Sequence, residues 1–120
     1  MILIWLHTSS TNPFTMPVTK ATDTDFHQII ESNEKVVVKY YADWCGNCRL
    51  FSPKFKRMAE ALEDQGIKFL DVNAETSPEA RKLASVTNLP FFAVFRNGEL
   101  LDTVAASKEE AVAALISRLN

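Results

Sequence analysis

The chain holds two cysteines, and both lie in the stretch Tyr40-Tyr41-Ala42-Asp43-Trp44-Cys45-Gly46-Asn47-Cys48-Arg49-Leu50. Paired sulfur does one of three things: it cycles between redox states, holds a metal, or forms a static cross-link. A Cys-x-x-Cys spacing is short enough for the two sulfurs to close a small disulfide ring. The stretch follows the apolar run Val36-Val37-Val38 and precedes a long amphipathic segment that reads as a helix. Cys45 then falls at a helix N-terminus, where unpaired N–H groups and the macrodipole stabilise a thiolate. Cys48 falls one turn in, on the same face. That placement suits redox chemistry.

The other two readings have less behind them. A closed structural zinc site takes four ligands. The remaining nitrogen or sulfur candidates of the usual kind are His7, in an N-terminal tail, and His27, in a predicted first helix. No metal is expected. Catalysis of the Cys–His kind lacks a histidine anywhere after the cysteines. A static disulfide with so small a ring removes little unfolded-state entropy and would be a poor staple.

The elements that must position these sulfurs are legible in the pattern. Val18-Thr19-Lys20 makes a short edge strand at best. Thr22 or Asp23 can cap a helix through Glu31, with Phe26, Ile29 and Ile30 on its apolar face. Lys35–Tyr41 is β-branched and aromatic, apolar on both faces except at Lys39, as in a central strand covered on both sides. The spacing predicts a helix from Cys45 to about Asp64, with Leu50, Phe51, Phe55, Met58, Ala59 and Leu62 inward. Pro53 falls inside that helix and should bend it. A strand over Ile67–Asn73 follows, then a helix with Ser77 as cap and Pro78 in its first turn. Phe91–Phe95 and Leu100–Ala105 are strands joined by Asn97-Gly98, a type I′ hairpin signal. Ser107 caps a last helix through Leu119, with Val112, Leu115, Ile116 and Leu119 inward. The order β-α-β-α-β-α-β-β-α implies an α/β domain with a mixed sheet and helices on both faces.

Trp44-Cys45-Gly46-Asn47-Cys48 resembles the Trp-Cys-Gly-Pro-Cys signature of the thioredoxin family, with asparagine in place of proline. Pro53 matches the proline that kinks the family's active-site helix. Asn88-Leu89-Pro90 matches the segment carrying its cis-proline, and Phe95-Arg96-Asn97-Gly98-Glu99 matches its last hairpin. The resemblance runs from about Val18 to Asn120 and implies the thioredoxin fold over residues 18–120. It implies a thiol–disulfide oxidoreductase in which Cys45 attacks a protein disulfide and Cys48 resolves the mixed disulfide. It implies partners of two kinds, disulfide-containing proteins and a thioredoxin reductase or similar reductant. No bound cofactor is needed, since the sulfurs of a redox-active Cys45–Cys48 disulfide carry the electrons. The same resemblance assigns Trp44, Gly46, Asn47, Leu89, Pro90 and Ala106 to the partner-binding surface, with Trp44 either a docking platform or ordinary core. Leu89, bulky and aliphatic, should also crowd a metal away from Cys45.

The chain departs from the family pattern at several points. Asn47 restores a backbone N–H close to the Cys45 sulfur. Tyr41 stands where the family has a first tryptophan, and Ala105 or Ala106 where a glycine borders the groove. Lys39 occupies the place of the family's buried aspartate, and Asp71, on the neighbouring strand, the place of its lysine. Alternation puts Lys39 with Val37 and Tyr41, and Asp71 with Ile67 and Phe69, so each charge sits among apolar neighbours. The two are expected to form a buried pair with the family's polarity reversed, unless Lys39 snorkels to solvent. In that pair Asp71 takes up the Cys48 proton, through a water, and Lys39 favours the Cys48 thiolate.

Composition sets the remaining bounds. A chain of 120 residues with 47% hydrophobic and 23% charged residues suggests one domain with an ordinary core. A formal net charge of −2 gives no reason to expect nucleic acid or an anionic membrane as partner. Two cysteines do not make a secreted disulfide scaffold, so a cytoplasmic monomer is expected. Residues 1–17 differ from the rest. Met1–Leu6 is a short apolar run without a preceding basic residue, too short for a membrane span and unlike a signal peptide. This tail reads as disordered or upstream of a start at Met16, with a short membrane or partner anchor as the alternative. Within the enzyme class the alternative is an isomerase or specialised redox partner of higher potential. Outside it stands a binding module without turnover.

Overall fold

Lys35–Tyr41 (β2) is the middle strand of a five-stranded sheet, and its near-continuous apolar character follows from burial on both faces. The computed structural model describes residues 17–120. The expectations for the N-terminal tail, the Met16 start and the anchor lie outside these residues. The remaining elements are β1 (Val18–Ala21), α1 (Phe26–Ser32), α2 (Gly46–Ala61), β3 (Ile67–Asn73), α3 (Pro78–Leu83), β4 (Phe91–Arg96), β5 (Glu99–Ala105) and α4 (Glu109–Ser117). The sheet order is β1-β3-β2-β4-β5, parallel across β1, β3 and β2, antiparallel across β2, β4 and β5. This is the predicted mixed α/β architecture, with β1 at an edge as expected.

The two faces of β2 feed two apolar layers. Val36, Val38 and Tyr40 pack with Phe26, Ile30, Ala80 and Phe95 under α1 and α3. Val37 packs with Phe51, Phe55, Phe69, Phe92 and Leu115 under α2 and α4. In that second layer four phenylalanine rings interlock, Phe51–Phe92 at 5.0 Å and Phe55–Phe69 at 5.2 Å between centroids. Each such ring, fully buried, contributes about 1.5–3 kcal/mol. This layer is the bed on which the cysteine-bearing helix rests.

Several local expectations give way to tertiary structure. The helix predicted to reach Asp64 ends at Ala61, and a 3₁₀ turn at Glu63–Gln65 leads to Gly66, whose φ of 72° needs no side chain. Leu50 does not face inward: it is 71% exposed, one position off the Phe51–Phe55–Ala59 stripe. Neither Thr22 nor Asp23 caps α1, which begins after Asp25 with no side-chain cap. Asp23 instead accepts hydrogen bonds from Glu79 N and Ala80 N, at 3.0 and 2.9 Å. It therefore caps α3 from across the molecule, while Ser77, the predicted cap, makes no capping bond. Ser107 is likewise not the cap of α4, whose N-cap residue is Lys108, and the helix ends at Ser117. Its four predicted inward residues are nonetheless all buried. The Asn97-Gly98 turn has positive φ at both residues, as a type I′ hairpin requires. Among the described residues no helix is long and apolar enough to cross a membrane.

Candidate active site

The loop from β2 to α2 is drawn tight by backbone bonds from Cys45 N to Ala42 O at 3.1 Å and Ala74 N to Tyr41 O at 2.8 Å. This places Cys45 as the N-cap of α2, with extended φ and ψ of −84° and 104°. Its sulfur does what a capping oxygen usually does, accepting the Cys48 N–H at 3.1 Å. A thiolate formed there meets an oriented donor and the positive end of a 16-residue helix. Cys45 and Cys48 are joined in a disulfide with a Cα–Cα distance of 5.3 Å. The N–H on the Cys45 sulfur is thus that of Cys48, which corrects the expectation that Asn47 supplies it. Gly46 and Asn47 are exposed, and space is open around Gly46.

Of the predicted partner-facing residues, Leu89 packs on this pair, and Trp44, Gly46 and Asn47 adjoin it in the chain. Trp44 is 67% exposed, which decides its reading against core. Its indole N–H donates to Glu75 Oε2 at 2.6 Å and so holds the ring beside the disulfide. The Leu89–Pro90 bond is cis. Leu89 is half-buried and, with Tyr41, packs on the small cluster of Ala42, Cys45 and Cys48, while Pro90 is buried. Ala106 follows the end of β5 and is half-buried. Glu75 is a site residue that sequence reasoning missed, and nothing in its surroundings in the chain marks it.

Behind the disulfide lies the inverted charge pair. Lys39 and Asp71 are direct neighbours in the parallel β2–β3 register. Lys39 is 1% exposed, so it does not snorkel, and its Nζ lies 3.4 Å from Asp71 Oδ1. That contact is electrostatic, since the buried Oδ1 accepts no aligned hydrogen bond from the described residues. The aligned bond goes to Ser52, whose Oγ receives Lys39 Nζ at 2.6 Å and donates to Cys48 O at 3.2 Å. Burial pushes the Lys39 ammonium below its ordinary range, with Asp71 opposing the shift. Burial also pushes the Asp71 carboxyl upward, with Lys39 opposing. Each partner restrains the drift of the other toward its neutral form. Lys20, paired with Asp71 in the β1–β3 register, lies 5.2 Å from the Tyr41 ring centroid on the same side. Lys20, Lys39, Cys48, Ser52 and Asp71 line a common cavity of about 200 Å³. Ser52 was also missed, although its place one turn after Cys48 was a usable signal.

Among the described residues no group of three or more His, Cys, Asp or Glu side chains is placed to hold a metal. His27 is exposed beside Glu31 at 3.3 Å. The arrangement offers a redox pair at a helix terminus, an exposed aromatic platform, and a polar cavity behind the second sulfur.

Comparison with known proteins agrees with this chemistry. The thioredoxin family model matches residues 17–118. A thioredoxin of Pyropia yezoensis is 34% identical over 106 residues, covering 88% of this chain and 96% of the relative. The mitochondrial thioredoxin-3 of Saccharomyces cerevisiae is 30% identical over 96 residues, covering 79% and 74%. Among solved structures, thioredoxin from Plasmodium falciparum superposes with a TM-score of 0.77 at 28% identity, covering 83% of this chain and 97% of that one. A redox-capable Cys-x-x-Cys pair on this fold, with relatives of this kind over most of its length, places the chain in the thioredoxin family as a thiol–disulfide oxidoreductase.

Proposed function

We propose that the protein is a general reductant of protein disulfides, acting as a monomer, with Cys45 as nucleophile and Cys48 as resolving thiol. The observation that carries the reading is the Cys45 sulfur at the N-cap of α2, accepting the Cys48 N–H at 3.1 Å. The Cys45 thiolate attacks one sulfur of a partner disulfide. The partner's S–S bond breaks, its other sulfur leaves as a thiolate and takes a proton, and a mixed disulfide forms. Cys48 then gives its proton to Asp71 across the cavity they share and attacks Cys45. The mixed disulfide breaks, the partner departs with both sulfurs reduced, and the protein holds the Cys45–Cys48 disulfide. Two electrons and two protons from a thioredoxin reductase or similar reductant restore the dithiol.

In this reading Lys39 supplies the charge that favours the Cys48 thiolate. Trp44, Gly46, Asn47, Leu89, Pro90 and Ala106 form the surface on which an extended partner segment lies, adding to the Leu89 backbone as a short strand. The sulfurs carry the electrons without a bound cofactor. A role in electron transport to target proteins follows, and the cytoplasm is the compartment we propose, checked by fractionation.

The test is reduction of insulin disulfides by dithiothreitol with and without the protein. Acceleration is expected. Cys45→Ser should abolish it, and Cys48→Ser should accumulate mixed disulfides with target proteins. Failure to accelerate would point to a binding module without turnover, and trapping by Cys45→Ser instead would reverse the assigned roles.

A further inference from the structure

We propose that Ser52 is a positioning residue for the resolving step, fixing the Lys39 ammonium against the first turn of α2 beneath Cys48. The inference rests on the reading that Cys48 resolves the mixed disulfide. A hydroxyl has one proton to donate and two lone pairs with which to accept. Ser52 Oγ lies 3.2 Å from Cys48 O, one turn back along the helix, and gives its proton to that carbonyl. It therefore accepts from Lys39 Nζ, at 2.6 Å. The link has a direction, from the ammonium through the hydroxyl to the backbone of the resolving cysteine.

Lys39 has two polar neighbours that pull its flexible stem differently. Asp71 Oδ1, at 3.4 Å, draws it toward β3. Ser52 draws it toward α2. Without the Ser52 oxygen the ammonium is left to Asp71 and the cavity, and its charge moves away from Cys48. With it, the charge stays tied to the Cys48 backbone within the cavity that Cys48 lines, and Asp71 Oδ1 keeps no hydrogen-bond donor among the described residues. The charged and titratable groups around Cys48 in this cavity are Lys20 from β1, Lys39 and Tyr41 from β2, Asp43 from the loop, Arg49 from α2 and Asp71 from β3. Of these Ser52 bonds only to Lys39, so any effect of Ser52 on the sulfur should pass through Lys39.

The experiment titrates Cys48 as the single thiol of the Cys45→Ser variant, by the pH dependence of its alkylation with iodoacetamide. At an effective dielectric near 20, a retreat of about 2 Å by a charge that shares a cavity with a thiolate lowers the thiolate fraction severalfold. Ser52→Ala should therefore move the alkylation profile to higher pH by that factor. Ser52→Thr, which keeps the hydroxyl, should restore it. In a Lys39→Met background Ser52→Ala should produce no further shift. An unchanged profile for Ser52→Ala overturns the proposal, as does a shift that persists in full without the lysine. Should the Lys39→Met protein not fold, the comparison of Ser52→Ala with Ser52→Thr decides alone, and equal profiles overturn it. An unmoved profile in a protein whose Cys48→Ser variant still traps partners removes only the role of Ser52. Absence of trapping removes the resolving role itself.

Discussion

Deleting Asp71 isolates a lysine inside the protein, and the size of the resulting loss follows from the surroundings of the pair. In Asp71→Ala the Lys39 ammonium, 1% exposed, keeps Ser52 Oγ as its hydrogen-bond partner and loses its counter-charge. The attraction forfeited at 3.4 Å is about 5 kcal/mol at an effective dielectric near 20. That is a gross figure, because desolvation of the two ions offsets much of it in the native protein. Breaking one side of a fully buried pair costs about 3–5 kcal/mol. The lysine also has an escape that caps the loss. At pH 7 it can shed its proton for about 5 kcal/mol, at about 1.4 kcal/mol for each unit below its ordinary 10.5. Asp71→Ala should therefore destabilise by about 3–5 kcal/mol at neutral pH. Lys39→Ala should fall toward the lower end of that range. Asp71 keeps 16% of its side chain exposed, so water reaches the carboxylate left behind. The remaining loss comes from the lysine stem, whose Nζ sits 5.6 Å from the Phe55 ring centroid.

The pH dependence has a definite sign. Burial lowers the Lys39 value and Asp71 opposes that shift, so deleting Asp71 lowers it further. Between the lowered value and 10.5 the unfolded lysine binds more protons than the folded one. The Asp71→Ala protein therefore gains stability as pH rises through that window. Urea denaturation of the native protein, both single variants and the double variant at several pH values is the assay. The double variant should lose less than the sum of the singles, by about 2 kcal/mol or more. Additive losses would mean that the two charges do not meet, and the proton-accepting role of Asp71 would fall with them.

Other outcomes are expected. Asn47→Pro leaves the Cys48 N–H on the Cys45 sulfur and removes one unpaired N–H from the positive end of α2; equilibration against glutathione should show its reduction potential slightly lower. An equal or higher potential in the variant would show that the Asn47 N–H gives the thiolate nothing. Asp23→Ala removes both bonds to the start of α3 and should cost about 1–2 kcal/mol in denaturant titrations. Ser77→Ala should be neutral or stabilising, since its fully buried Oγ has no hydrogen-bond partner among the described residues. Trp44→Ala, at a 67% exposed position, should shift the melting temperature little and slow insulin reduction severalfold; full turnover in that variant would remove the ring from the docking surface.

Much of this structure is legible in the sequence because two periods dominate it. Alternation along β2 and β3 puts Lys39 and Asp71 on one face, and neighbouring parallel strands bring them into register. The 3.6-residue stripe of Phe51, Phe55 and Ala59 fixes how α2 lies. Leu50 lies outside the stripe because apolar character alone does not say which side of it a residue falls on. The caps differ from the local pattern for another reason. Capping by Ser77 or Thr22 is a local rule, and at α3 it was overridden by a carboxylate from a segment 56 residues away. Ser52 and Glu75 share that difficulty. What each does is set by the side chain that folding brings to it, Lys39 from β2 and Trp44 from the active-site loop.

The capping of α3 by Asp23 also bears on the order in which the chain assembles. A helix of six residues is too short to nucleate by itself, and its first amides find their acceptor only when a loop of more than fifty residues has closed. Tyr40, whose hydroxyl donates to Ala80 O at 2.9 Å, adds a second tie of the same kind from β2. The helix should then condense after β2, which carries Tyr40, and the turn following β1, which carries Asp23, are in place. The segment joining it to Pro90 settles with it. In pulsed hydrogen exchange during refolding, the amide of Ala80 should gain protection after those of Val37 and Val38, which would make α3 a late element of the fold.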